Sequence, residues 1–364
     1  MGVDILEDVY LVMSLAGVSS KKQLELVQKL GSSQNVWASF SRPHILKTVL
    51  PEEQIAQIGE IMSSSRLEDF KLGLEKTGVK YITIEDERYS KRLKEIFDPP
   101  AILYYKGNID LLNEDSIAIV GSRTCTSYGA EQTRIFSRAL TQAGFVIVSG
   151  LAEGIDGIAQ KECVKNNGKT IAVLAGRIND VYPSIHKDLA EEILKKGGLI
   201  LCETLPSTLP RYGFVQRNRI IAGLSLGVLV TEAGEKSGSL HTVEFANDYG
   251  RHIFALPGPV SSSKSVGTNR LIKCFQGCCV TEPNDIIADF PQFSPQNKKE
   301  SKLEQLDMNE QIVLGALEDE AQHFSFLIEK TSLDAKTLNS LLTRMEIRGL
   351  IIRMAGNYFQ KKID

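Results

Sequence analysis

Ile117-Ala118-Ile119-Val120-Gly121-Ser122-Arg123 is an apolar run of strand length that stops at a glycine, a hydroxyl and a guanidinium. The pattern recurs downstream. Phe145-Val146-Ile147-Val148 ends at Ser149-Gly150, and Thr170-Ile171-Ala172-Val173-Leu174 ends at Ala175-Gly176. Leu199-Ile200-Leu201-Cys202 ends at Glu203, Gly227-Val228-Leu229-Val230 at Thr231-Glu232, and Ile253-Phe254-Ala255-Leu256 at Pro257-Gly258. Amphipathic stretches such as residues 186–196 and 240–249 lie between them. Continuous apolar strands alternating with helices predict an α/β fold, an extended Rossmann-like parallel sheet buried on both faces. Ligands of such sheets collect outside the carboxyl ends of the strands, so function is expected there.

This pattern occupies residues 67–290. Residues 1–66 read as short helices, with Leu11, Leu15, Leu24, Val27 and Leu30 spaced for apolar faces and Gly31-Ser32-Ser33 breaking the run. The turn Ala16-Gly17-Val18-Ser19-Ser20 is either a degenerate helix-hairpin-helix offering amides to phosphate or part of a small packing module. Residues 291–306 are polar, contain two prolines and read as a linker. From 307 to 364 helical patterns cover residues 311–318, 325–331 and 334–348. Leu338, Leu341, Leu342 and Met345 supply one buried face. Ile351 to Gln360 reads as a hairpin turning at Gly356-Asn357. Three helices and a β-wing predict a winged helix. Its basic residues Lys336, Arg344, Arg348, Arg353, Lys361 and Lys362 face one acid, Glu346. They form either a DNA contact or the solvated face of a protein-interaction module.

The chain has 364 residues, 42% hydrophobic and 24% charged, with a formal net charge of −3. A basic surface for nucleic acid must therefore be local. No apolar stretch reaches the roughly 18–20 residues of a membrane span, and the acidic start argues against a signal peptide. A cytoplasmic location is expected. Cys125, Cys163, Cys202, Cys274, Cys278 and Cys279 form no CxxC pair or zinc set and read as small hydrophobes in a reducing compartment.

The chemistry sits at the strand ends. Gly121-Ser122-Arg123 lacks the GxGxxG glycines, which disfavours a nicotinamide or flavin, and no cofactor is expected. The turn instead offers amides, a hydroxyl and a guanidinium at a helix start, which suits phosphate. Gly150 and Gly154 permit close backbone approach, and Glu153 and Asp156 read as structural rather than as an acid/base pair. Arg211-Tyr212-Gly213-Phe214-Val215-Gln216-Arg217-Asn218-Arg219, read as preceding a helix at 220–224, is the densest cluster. Arginines for phosphate and aromatic faces for bases hold single strands without sequence readout. The plainer reading puts Phe214 in the core and pairs the arginines with Glu203 and Glu232. Ser237-Gly238-Ser239 opens a helix and forms another anion nest. No nucleophile–base set, metal-ligand set or Walker lysine motif appears, and His241 alone does not make a base.

Together these segments resemble the DprA/Smf DNA-processing family. The resemblance rests on Asp98-Pro99-Pro100 through Tyr104, Gly121-Ser122-Arg123 with Tyr128-Gly129, and Ser149-Gly150 with Gly154-Ile155-Asp156. It continues through Tyr182-Pro183, Phe214 with Arg217-Asn218-Arg219, Glu232-Ala233 with Ser237-Gly238-Ser239, Leu256-Pro257-Gly258 and Gly267-Thr268-Asn269-Arg270. It covers about residues 70–285. The resemblance implies a SAM-like helical N-terminus, a winged-helix C-terminus and no catalytic activity. It also implies single-stranded DNA binding and protection, loading of RecA recombinase in natural transformation, and a homodimer formed through the Rossmann-like domain. Carried onto this chain, with the anion nests, the DNA-binding residues are Ser122, Arg123, Gly150, Arg211, Phe214, Arg217, Asn218, Arg219, Ser237 and Gly238. The chain departs from the family at Gln216, at Cys202, where serine is common, and at Leu151, where glycine is frequent. The rival reading is a nucleoside monophosphate glycosidic-bond hydrolase of a related Rossmann-like family. The Pro-Gly-Gly loop of that family is missing here.

Overall fold

The computed structural model describes residues 4–176, 178–205, 211–293, 307–317, 321–347 and 350–361. The chain divides into two compact units, Met1–Asp289 and Phe290–Asp364.

The first unit opens with helices α1 (Asp4–Leu15), α2 (Ser20–Leu30), α3 (Ser33–Ser39), α4 (Pro43–Leu46), α5 (Glu52–Met62) and α6 (Arg66–Lys76). Strands β1 (Lys80–Thr83) and β2 (Ile102–Gly107) flank α7 (Lys91–Lys94). The alternating region then runs β3 (Ser116–Gly121), α8 (Ser127–Ala143), β4 (Val146–Ser149), α9 (Ile155–Lys165), β5 (Thr170–Leu174), α10 (Lys187–Lys195), β6 (Leu199–Cys202) and α11 (Arg211–Leu224). It closes with β7 (Gly227–Glu232), α12 (Leu240–Asp248), β8 (His252–Ala255), α13 (Val266–Lys273), β9 (Cys278–Cys279) and α14 (Pro283–Ile287).

All nine strands form one sheet, ordered β1-β2-β6-β5-β4-β3-β7-β8-β9. The α/β architecture is as the sequence predicts. From β6 to β9 every pairing is parallel, whereas β1–β2 and β2–β6 are antiparallel. The chain moves outward from β3 through β6, then returns to place β7 on the other side of β3. That reversal opens a crevice at the carboxyl ends of β3 and β7, where a doubly wound sheet takes its ligands.

Strand alternation divides the core. Ile102, Tyr104, Ala172, Leu174, Ile200 and Cys202 pack on one face with Val9, Leu11, Val12, Met13 and Leu26 from the N-terminal helices. Leu103, Tyr105, Ile171, Val173, Leu199 and Leu201 pack on the other with Ile220 and Ile221 of α11. The N-terminal helices therefore share the sheet's own core. Polar ties reinforce them: Tyr104 Oη donates to Ser14 Oγ at 2.9 Å, and Tyr10 Oη to Glu85 Oε1 at 2.9 Å. The turn after α1 is tied to the unit at its ends, where Ser20 Oγ donates to Glu203 Oε1 at 2.7 Å and Gly17 O accepts from Gln54, while Gly17 and Ser19 are themselves exposed.

The second unit is a winged helix. Its helices span Met308–Ala316, Phe324–Thr331 and Ala335–Ile347, with strands at Gln322–His323, Ile351–Met354 and Tyr358–Lys361. Leu338, Leu341, Leu342 and Met345 are buried, as their spacing predicts. The basic count is partly consumed inside the unit. Arg344 pairs with Asp307 at 2.6 Å and Glu310 at 3.0 Å, and Arg353 lies over the Phe359 ring. Lys336 is exposed. Arg348, Lys362 and residues 294–306 of the expected linker lie outside the described residues. Among the described residues no helix is long and apolar enough to cross a membrane.

Candidate nucleic-acid interface

The Gly121-Ser122-Arg123 turn is held from both sides. Ser122 N donates to Glu232 O at 2.8 Å, and Ile155 N donates to Ser122 O at 3.2 Å. Glu232 also accepts from Thr126 N and Thr126 Oγ1, at 2.8 and 2.7 Å, which fixes the start of α8. Glu232 thus holds the N-cap residue of α8, and among the described side chains no arginine of the 211–219 cluster pairs with it. Ser122 corrects an expectation. It is buried, and its hydroxyl turns back to Thr124 O at 3.1 Å, so neither its amide nor its hydroxyl is offered to the crevice. Arg123 is exposed, and its guanidinium lies over the Phe214 ring at 5.0 Å from the centroid.

The nine-residue cluster is helical from its first residue, since α11 begins at Arg211. Helical geometry then sorts its members. Successive residues turn by about 100°, so Arg217 and Arg219 diverge by about 200°. Arg217 reaches under the crevice, where Nη1 donates to Gly150 O at 2.5 Å and also to Val173 O, tying together the ends of β4 and β5. Burial lowers its pKa to about 10 against the opposing pull of Asp156. Burial pushes the Asp156 carboxyl up, and Arg217 and the Gly150 amide oppose that shift. Asp156 therefore stabilises the loop after β4 by accepting from Gly150 N at 3.1 Å; it lines the crevice and gives α9 no side-chain cap. A Cβ at Gly150 would meet the Arg217 guanidinium, which would have to give up its place beneath the loop.

Arg219 points the other way. It is 4% exposed, with Nη2 at 2.5 Å from both oxygens of Glu203 and Nη1 at 2.6 Å from Asp98 O. Its expected DNA contact gives way to an internal ion pair. The side chain of Arg211 lies outside the described residues.

A cleft of about 430 Å³ opens over these groups, lined by Gly121, Arg123, Phe214, Arg217, Asn218, Ser237, Gly238 and Thr242 among others. Asn218 Nδ2 donates to Gly238 O at 3.2 Å, which fixes α11 to the loop before α12. Gly238 leaves open space at its Cα. A smaller annex of about 140 Å³ brings in Tyr182 and Pro183. Tyr182 is 57% exposed and its ring lies 6.1 Å from Phe214. Of the expected residues, Arg123, Phe214, Arg217, Asn218, Ser237 and Gly238 share the main cleft, and Gly150 lines the annex. Sequence reasoning assigned no role to Tyr182, Thr242 or Lys264. Tyr182 and Lys264 follow β5 and β8, the same carboxyl edge that flagged the others. His241 lies outside the cleft lining and pairs with Glu244 at 2.9 Å. Among the described residues no group of His, Cys, Asp and Glu is placed to hold a metal ion.

Among the described residues the chemistry on offer is an exposed guanidinium against aromatic rings, over a floor of hydroxyls, an amide and the buried Arg217 and Asp156. That suits a phosphate and an unstacked base.

Residues 80–291 match the family model of DNA recombination-mediator protein A, and residues 297–357 that of the DprA winged helix domain. Protein Smf of Escherichia coli is 37% identical over 298 residues, covering 78% of each chain. DNA processing protein DprA of Streptococcus pneumoniae is 40% identical over 227 residues, 62% of this chain and 79% of that one. A solved structure of the Streptococcus pneumoniae protein superposes with a TM-score of 0.67 at 34% identity, covering 78% of this chain and 98% of that one. DNA processing protein A from Helicobacter pylori, described for its single-stranded DNA binding mode, superposes with a TM-score of 0.50 at 31% identity. It covers 64% of this chain and 99% of that one.

Proposed function

Because this chain belongs to the DNA recombination-mediator protein A family, we propose that it binds single-stranded DNA in the cleft at the β3–β7 reversal. In this reading it protects the strand and loads RecA recombinase onto it during DNA uptake. One observation carries the proposal: Arg123, exposed, stands over Phe214 at the mouth of a cleft placed where this topology takes ligands. Its charge meets phosphate, and its plane with Phe214 and Tyr182 meets bases. Duplex DNA keeps its bases stacked and presents them poorly to such a site. Homodimerisation through the Rossmann-like domain and a cytoplasmic setting complete the reading. The protein acts by binding, without catalysis.

The test is a binding titration with single- and double-stranded DNA at several salt concentrations. Single strands bind more tightly, and log affinity falls with log salt at about −0.7 per phosphate neutralised. Equal affinity for both forms with no salt slope overturns the assignment. Incubation with nucleoside monophosphates releases no free base; release would favour the glycosidic hydrolase.

A further inference from the structure

The carboxyl edge of the sheet continues past the cleft on the β8 side. After β8 the chain makes a short loop through Pro259–Ser265 before α13. Gly258 and Asn269 exchange two hydrogen bonds at 3.1 and 2.9 Å, and Gly267 N donates to Ala233 O at 2.8 Å. Ser262 N and Ser265 N close turns within the loop, and Ser262 Oγ accepts from Lys264 N at 3.3 Å. This fixed loop delivers Lys264, whose Nζ donates to Thr124 Oγ1 at 2.5 Å. Thr124 is the residue after Arg123. The loop after β8 thus brings a cation to the residue that follows Arg123. Among the described residues neither Arg123 nor Lys264 forms a salt bridge with a carboxylate. An ammonium whose named partner is a neutral hydroxyl has no carboxylate to compete with an incoming anion.

We propose that Lys264 is a further phosphate ligand, carrying the bound strand from the Arg123–Phe214 mouth across the Thr124 shelf toward β8. The inference rests on the single-strand reading above and extends its footprint. Arg123 follows β3 and Lys264 follows β8, two strand positions further along the same edge in the order β3-β7-β8. The loop after β8 reaches back to Thr124, so the cleft mouth and the Lys264 ammonium lie along one short path that a single strand can follow.

The test uses the full chain and an oligodeoxythymidylate of about twelve nucleotides, long enough to cross the path. Lys264→Gln retains a donor for Thr124 but loses the charge; Lys264→Arg retains the charge. Lys264→Ala and Lys264→Gln each weaken binding about five- to tenfold and make the salt slope shallower by about 0.7, while Lys264→Arg stays near wild type. Melting temperatures stay within about 2 °C, the range of a surface substitution. If Lys264→Gln binds with wild-type affinity and slope, Lys264 only tethers its loop and the inference falls while the single-strand reading stands. If wild type shows no salt-dependent preference for single strands, that reading falls and takes the inference with it.

Discussion

Replacing Arg219 by alanine separates the two arginines of the Arg-Asn-Arg segment. Its guanidinium is buried and makes two contacts of 2.5 Å to Glu203 and one of 2.6 Å to Asp98 O. Truncation leaves the partly buried Glu203 carboxylate with the Ser20 hydroxyl as its remaining named donor. Breaking a buried pair from one side costs about 3–5 kcal/mol, mostly the penalty of the stranded charge. For a unit of this size about 2 °C of melting temperature accompanies each kcal/mol, so a drop of roughly 6–10 °C is expected. Arg219→Met with Glu203→Met recovers part of it, because apolar replacements leave no charge stranded. Well below its melting point the Arg219→Ala protein binds single-stranded oligonucleotide within about threefold of wild type. Thermal melting and fluorescence anisotropy on one preparation supply both numbers. An unchanged melting temperature with a tenfold or greater loss of affinity, about 1.4 kcal/mol, would refute the argument and return Arg219 to the DNA.

Arg123→Ala gives the opposite pattern: binding weakens by about 1–3 kcal/mol, with little change in melting temperature, and Arg123→Lys restores only part because the planar fork is lost. A large melting shift with intact affinity would contradict it. Gly150→Ala places a Cβ on the Arg217 guanidinium and expels it from Gly150 O and Val173 O. It should lower the urea midpoint by more than about 2 kcal/mol of stability at unchanged m-value, and wild-type stability would show that the guanidinium has another place to go. Native thiol titration at about pH 8 should modify Cys274, Cys278 and Cys279 readily and spare Cys163 and Cys202 until denaturant is added. Burial pushes the Cys163 thiol up to about 11, so raising the pH brings out its thiolate only near that value; rapid native labelling of Cys163 below about pH 9 would show that its pocket opens.

The parallel strands were legible because burial on both faces removes polar residues from them, as at Ile117 to Val120 and Gly227 to Val230. β1 and β2 are harder to read because they pair antiparallel at one side of the sheet and their apolar runs are short, bounded by Lys80 and Lys106. The 211–219 cluster reads as preceding the helix at 220–224, and not as its first turns, because Gly213 and the charged residues hide a helical period. The site's position was legible from the strand ends, and its side-chain directions were not. Ser122 and Arg219 turn inward because each has a better internal partner, Thr124 O and Glu203, whose proximity depends on tertiary packing. The winged helix's basic count hid the Asp307 and Glu310 partners of Arg344, which lie outside the stretch that was counted.

Leu151, in the loop that carries Gly150, has φ of 53°, the left-handed region that suits glycine. Its side chain is fully buried among the residues beneath the sheet. Gln160 and His186 hold its amide and carbonyl at 3.0 and 2.9 Å. Left-handed backbone costs a non-glycine residue about 1–2 kcal/mol, and burying a leucine side chain contributes about 1.5–3 kcal/mol. The two nearly offset, which makes glycine and leucine alternative solutions of similar stability at this position. Alanine, intermediate in size, keeps the backbone strain and gives up most of the buried area, so it sits in a valley between two peaks. A lineage crossing from one residue to the other by small steps in side-chain size would have to pass through the least stable form of the loop.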